Sequence, residues 1–194
     1  MSLVSFVVKA LPIRPAIFLD RDGVINANRP DYVKSWAEFA FLPGSLPALV
    51  ELACLGWPLV VISNQSAIGR GLLSAETAAA INTRLLAEVR AAGGRIDGIY
   101  ICPHRPDEGC ACRKPAPGLL LQAAEELGLD LARSYLVGDA ESDILAALRV
   151  GAQPVLVLSG RGRAQRPQLA GLEVKFTVVA DLPAAVTWIS SRES

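Results

Sequence analysis

The chain has 194 residues, enough for one domain with a substantial core and too few for a second large one. Hydrophobic residues make up 52% and charged residues only 20%, so a compact, well-buried fold is expected. Basic and acidic residues number 19 each, which leaves no global field to recruit nucleic acid or an anionic membrane, so any anion site must be local.

The early apolar stretch Val4 to Val8 is broken by Ser5 and followed by Lys9, too short for a secretory core or a membrane span. A cytoplasmic monomer is expected, with residues 1–14 as an N-terminal extension and 15–194 as a single domain. Three of the four cysteines, Cys102, Cys110 and Cys112, fall within eleven residues, while Cys54 lies alone in a helical pattern. That spacing belongs to a metal site rather than to a disulfide framework.

After Pro15, the apolar run Ala16-Ile17-Phe18-Leu19 reads as a short buried strand that delivers Asp20 and Asp22 at its C-terminal end. Taken alone, Asp20-Arg21-Asp22-Gly23 would equally suit an exposed turn. The segment from Val24 to Phe41 has no clear periodicity. Its polar head and aromatic tail fit either a lid over a small polar ligand or a surface loop pinned by Trp36 and Phe39.

Pro43-Gly44-Ser45 opens a helix, with Ser45 as the expected N-cap and Gly56 as the stop. Pro58 to Ser63 is a second buried strand ending in Ser63-Asn64-Gln65-Ser66. Ser74 caps a helix to about Ala92, stopped by Gly93-Gly94, and Ile96 to Cys102 reads as a third strand. A helix from Pro117 to Leu127 ends at Gly128, and a fourth strand, Ser134 to Asp139, again terminates in an acid. A helix from Glu141 to Arg149, strands at Pro154 to Leu158 and Val174 to Val179, and a terminal helix from Leu182 complete the chain. This alternation predicts an α/β fold: a three-layer, Rossmann-like parallel sheet with helices on both faces and right-handed crossovers. No insertion is long enough for a cap domain.

Three strands thus end in polar groups: Asp20 and Asp22, Ser63 and Asn64, and Asp139 with Asp143 four residues on. In a parallel sheet these ends share one edge and can meet around one pocket, which favours a functional role for Asp20 and Asp22 over a turn. Clustered carboxylates beside hydroxyl and amide groups suit magnesium. A carboxylate attacking a phosphate dianion faces repulsion of about 8 kcal/mol at ~4 Å and an effective dielectric near ~20. Cations must offset it, and Arg113 and Lys114 are the candidates.

The segment Cys102-x-His104-x5-Cys110-x-Cys112 supplies three thiolates and one imidazole, the inventory of a closed tetrahedral zinc site. The intervening Pro106-Asp107-Glu108-Gly109 has little core of its own, so a metal clip is what it lacks. Zinc is expected to fix the Arg113-Lys114 turn without taking part in bond cleavage. His104 is the chain's one histidine and is claimed by this site, so a carboxylate must carry any proton transfer.

Asp20-Arg-Asp-Gly-Val, Ser63-Asn64-Gln65, Arg113-Lys114-Pro115 and Gly138-Asp139-x-x-x-Asp143, each tied to a strand end or a loop in this order, together resemble the haloacid dehalogenase superfamily of phosphotransferases. Within it, Phe-Leu-Asp-Arg-Asp-Gly, Asn-Gln-Ser and Cys-Pro-His…Cys-x-Cys-Arg-Lys-Pro are similar to the D,D-heptose 1,7-bisphosphate phosphatases and the related histidinol-phosphate phosphatases. The resemblance implies Asp20 as nucleophile through an aspartyl-phosphate intermediate and Asp22 as acid and base. It implies magnesium held by Asp20, Asp139 and the main-chain carbonyl of Asp22, with Ser63 and Lys114 stabilising the phosphoryl group. Asn28, Tyr32, Asn64, Gln65 and Arg113 are the candidates for holding the rest of a small phosphorylated sugar or amino-alcohol substrate. Asp143 either orders the metal shell or serves as a favourable charge at a helix N-terminus. A zinc-stabilised binding protein without turnover is the alternative of another class, and the presence of both Asp20 and Asp22 argues against it.

Overall fold

In a computed structural model, residues 13–169, 171 and 174–193 are described. Most of the expected extension at 1–14 lies outside them. Six strands form one parallel sheet: β1 (Ile17–Leu19), β2 (Leu59–Asn64), β3 (Gly98–Cys102), β4 (Tyr135–Gly138), β5 (Gln153–Val157) and β6 (Thr177–Val179). Their order is β3-β2-β1-β4-β5-β6, and the register sets Ile17 beside both Leu59 and Tyr135. The order reverses between β1 and β4, and an open parallel sheet of this kind has its crevice there.

The central strands are apolar throughout because both of their faces are covered. Ile17, Leu19, Leu59, Val61 and Val137 point to one side, against α1 (Ser45–Cys54), α3 (Ala75–Ala91) and α7 (Leu182–Glu193). Phe18, Val60, Ile62 and Leu136 point to the other, against α4 (Gly118–Leu127) and α5 (Glu141–Arg149). Each fully buried side chain of this kind contributes about 1.5–3 kcal/mol relative to exposure.

Several local expectations hold. Ser74 caps α3 by accepting from the Thr77 amide at 3.1 Å, and Gly93 and Gly128 follow α3 and α4 with positive φ. Ser45 is not the N-cap of α1: Gly44 takes that place with φ of 74°, and the Ser45 hydroxyl instead donates to the Ile25 carbonyl at 2.7 Å. The bond ties α1 to the loop after β1. The third strand starts at Gly98 rather than Ile96, because the Asp97 carboxylate accepts from the Leu59 amide and Arg95 donates to the Ala53 and Trp57 carbonyls. A short helix α2 (Ser66–Gly69) follows β2, and α6 (Gly162–Leu169) follows β5.

The loop between Val24 and Phe41 combines both expected characters. Trp36 stacks on Phe39 at 4.7 Å and Phe41 meets Phe39 edge-on at 5.2 Å, which pins one half. Its other half, Asn28 to Tyr32, lines a cleft over the sheet. No cap domain separates the strands among the described residues.

Candidate active site

The cleft, about 530 Å³, opens at the C-terminal edge of the sheet over β1 and β4. Asp20 follows β1 and Asp139 follows β4. Glycine keeps the two loops close, because a Cβ on Gly23, which has φ of 94°, would fall on the Asp139 carboxylate. Carboxylate oxygens of Asp20, Asp139 and Asp143 lie within 4.8 Å of one another, and the three residues are 4%, 0% and 1% exposed.

Lys114, itself 3% exposed, is drawn into the same cluster. Its ammonium donates to Asp20 Oδ1 and to the Ile62 carbonyl, each at 2.8 Å, and lies 2.6 Å from Asp143 Oδ1. Burial alone would pull Lys114 down, but Asp143 and Asp20 push its pKa above the ordinary range. Burial pushes Asp20 up to about 6; Lys114 opposes this and Asp143 adds to it. Burial and then Asp20 also raise Asp139, against the pull of Arg161. One lysine therefore does not neutralise the floor. The donor set fits a hard divalent cation, whose charge would return these buried carboxylates to the ionised form.

The Asp143 carboxylate is engaged at both oxygens. Its Oδ2 accepts from the Ala140 amide at 3.0 Å, at the N-terminus of α5, while its Oδ1 faces Lys114. Asp22 is held by three side chains: Arg21 Nη2 at 3.0 Å, Asn26 Nδ2 at 2.9 Å and Gln65 Nε2 at 2.6 Å. Gln65 also donates to the Ser63 hydroxyl at 2.9 Å, linking the ends of β1 and β2. Asn64 uses both ends of its amide on the Lys114 backbone, each at 3.0 Å. Both residues line the cleft, yet these bonds are spent on protein groups.

Around the rim stand Arg29, Arg70, Arg113 and Tyr32. Tyr32 has φ of 66°, a strained conformation for a bulky residue, and its hydroxyl lies 3.5 Å from the Ser66 hydroxyl, with Ser66 and the cationic Arg70 and Arg113 lowering its pKa against burial. Asn28 Nδ2 donates to Asp139 Oδ2 at 3.2 Å.

A HAD-hydrolase-like family model matches residues 111–185. A D-glycero-beta-D-manno-heptose-1,7-bisphosphate 7-phosphatase from Pseudomonas putida is 47% identical over 168 residues, covering 87% of this chain and 95% of the relative. The crystal structure of D,D-heptose 1,7-bisphosphate phosphatase from B. bronchiseptica complexed with magnesium and phosphate superposes with a TM-score of 0.87 at 40% identity, covering 92% of this chain and 99% of that one. The chain belongs to the haloacid dehalogenase superfamily, in its D,D-heptose 1,7-bisphosphate phosphatase family. The family's enzyme from Burkholderia thailandensis also matches, with a TM-score of 0.71 at 34% identity over 91% of this chain and 99% of that one.

As a member of this family, the chain is built as a phosphoric monoester hydrolase, and the residues on which the sequence resemblance rested do converge. A second cluster adjoins them. Cys102, at the end of β3, lies with Cys110 and Cys112 at sulfur–sulfur separations of 3.2–3.5 Å, and His104 Nδ1 is 3.2 and 3.5 Å from two of the thiols. Zinc–thiolate bonds of about 2.3 Å give tetrahedral edges of roughly 3.8 Å, so the four groups fit a zinc site with slight opening. The cluster touches the cleft through Arg113, which donates to the His104 carbonyl at 3.3 Å, and through the Gln65 amide, which donates to the Cys102 carbonyl at 2.7 Å.

Four residues with a place in this architecture were given no role from the sequence, where Arg161 was left open as part of a loop with Arg163 and Arg166. Arg161 donates its amide to Asp139 Oδ2 at 2.8 Å and its guanidinium lies 3.3 Å from Oδ1. It follows β5, so the rule that chemistry gathers at strand ends would have found it. Arg70 lies in the Gly69-Arg70-Gly71 stretch after β2. Arg21 and Asn26 flank Asp22 within four residues. Their signal was a cation set between two carboxylates and an amide four residues beyond the second of them.

Proposed function

We propose that this protein removes the 7-phosphate of D-glycero-D-manno-heptose 1,7-bisphosphate, as a cytoplasmic monomer working through a single domain, residues 15–194. The observation that carries the reading is Asp20: a buried carboxylate at a strand end, 2.8 Å from Lys114 and grouped with Asp139 and Asp143, in a chain 47% identical to an enzyme of that name. None of the four cysteines among the described residues is in a disulfide, which suits a reducing compartment. Among the described residues no helix is long and apolar enough to cross a membrane.

An Asp20 oxygen attacks phosphorus, the bond from phosphorus to the sugar oxygen breaks, and Asp22 gives its proton to that oxygen. Water then attacks the aspartyl phosphate at phosphorus. Asp22 takes the water proton, and Asp20 leaves as a carboxylate. Magnesium held by Asp20, Asp139 and the main-chain carbonyl of Asp22 would supply the charge that lets a carboxylate approach a phosphate dianion. Ser63 and Lys114 hold phosphoryl oxygens, and Asn64 fixes the Lys114 backbone.

The rim supports a second anion on the substrate. Arg70 has no carboxylate partner among the described residues, and Arg113 bonds a carbonyl rather than an acid. A distal phosphate gains from these guanidiniums, whereas the ammonium group of histidinol phosphate is repelled by them. Turnover on heptose bisphosphate, histidinol phosphate and fructose 1,6-bisphosphate decides the matter. Heptose bisphosphate should be fastest and leave heptose 1-phosphate; faster turnover of histidinol phosphate would overturn the substrate assignment.

A further inference from the structure

We propose that Asn82, in the middle of α3, is a positioning residue that aims Asp22 through Arg21; the proposal rests on the reading of Asp22 as acid and base. Of the three side chains that hold Asp22, Gln65 and Asn26 come from loops at the strand ends. Arg21 is different. It is 1% exposed, does not line the cleft, and spans from Asp22 to the helix layer, where its Nη1 donates to Asn82 Oδ1 at 3.1 Å. Its Nε has no hydrogen-bond partner, so Asp22 and Asn82 are the two side chains that orient it among the described residues.

A guanidinium is a rigid planar fork. Once Asn82 fixes Nη1, the plane is set, and with it the direction from which Nη2 meets Asp22 at 3.0 and 3.3 Å. Proton transfer to a leaving oxygen depends on such placement, where a displacement of about 1 Å is costly. Asn82 reaches the chemistry without touching substrate. A buried guanidinium needs an acceptor at Nη1 for stability as well, so the positioning role is read from proton transfer at Asp22 and not from stability.

Leaving-group dependence separates the two roles. A sugar alkoxide needs a proton as it departs, whereas the nitrophenolate of p-nitrophenyl phosphate leaves without one, so only the sugar ester reports on Asp22 in the phosphorylation step. First-turnover rates are measured at saturating substrate with magnesium, on heptose bisphosphate and p-nitrophenyl phosphate. Asn82→Leu, which keeps the size and removes the acceptor, should slow the sugar ester about tenfold and the aryl ester less than about twofold. Asn82→Asp, which restores the acceptor, should bring the ratio of the two rates back towards wild type. Equal slowing of both esters by Asn82→Leu, or no slowing, would overturn the proposal, as would failure of Asn82→Asp to restore the ratio. Asp22→Asn is the reference. If it discriminates between the esters and Asn82→Leu does not, the Asn82 role alone falls; if Asp22→Asn does not discriminate, the acid role of Asp22 falls and takes the Asn82 role with it.

Discussion

Two clusters meet at the C-terminal edge of the sheet, and they are assembled in opposite ways. The Cys102, His104, Cys110 and Cys112 set comes from eleven consecutive residues in a loop with little core. The sheet cluster joins Asp20 to Asp139 and Asp143, more than a hundred positions away, with Lys114 between them in sequence, and exists only because β1 and β4 are neighbours. The loop cluster fits a zinc ion, which would hold the loop locally. The sheet cluster is held by the fold, and its crowded carboxylates strain against it until a cation arrives. One cluster therefore adds to stability and the other draws on it for chemistry.

The largest expected effect separates the two at once. Asp20→Asn should lower turnover by at least about 10³-fold while leaving the melting temperature unchanged or higher, since it removes a buried charge that repels its neighbours. Steady-state kinetics and thermal unfolding check both halves. Cys110→Ser should do the reverse. Zinc content should fall and stability drop by about 3 kcal/mol or more, a fraction of the roughly 10–16 kcal/mol that structural zinc can supply. Full zinc content in that variant, measured by metal analysis, would break the contrast.

The strain on the sheet cluster should be visible as pH dependence. Asp20 has its folded pKa raised from 3.8 to about 6, so its contribution to stability is full below 3.8 and is lost as pH rises through about 6. The melting temperature of wild type relative to Asp20→Asn, without added magnesium, should fall between pH 4 and pH 7, by the equivalent of roughly 3 kcal/mol at most. Magnesium should restore it most at the higher pH. A flat difference would mean that the carboxylates are not in conflict. Smallest of all, Arg70→Ala should raise KM for the bisphosphate about tenfold, near 1.4 kcal/mol, and leave KM for a monophosphate almost unchanged. Equal effects on both esters would remove the second anion from the rim.

The same contrast explains what could be read from the chain. The Cys102, His104, Cys110 and Cys112 cluster was legible because its spacing alone brings these side chains together. Asp20, Ser63 and Asp139 were legible because buried parallel strands are near-continuous apolar runs, and each of these runs ends in a polar residue. Caps with purely local chemistry, such as Ser74 on Thr77, were also within reach. Ser45 was misplaced because a tertiary acceptor, the Ile25 carbonyl, claims its hydroxyl and Gly44 can take positive φ in its stead. Asn64 and Gln65 line the cleft as expected, and their bonds to Lys114, Asp22 and Ser63 were not legible because only the folded sheet brings those partners near. Asn82 carries no local signal at all, being one polar residue on a helix.

The central claim is that Asp20 forms the covalent intermediate. Wild-type enzyme mixed with magnesium and heptose bisphosphate, quenched in acid within one turnover and digested, should carry one phosphoryl group on the peptide that contains Asp20, and Asp20→Asn should carry none. A phosphoryl group on another residue, or turnover by Asp20→Asn at the wild-type rate, would contradict the account.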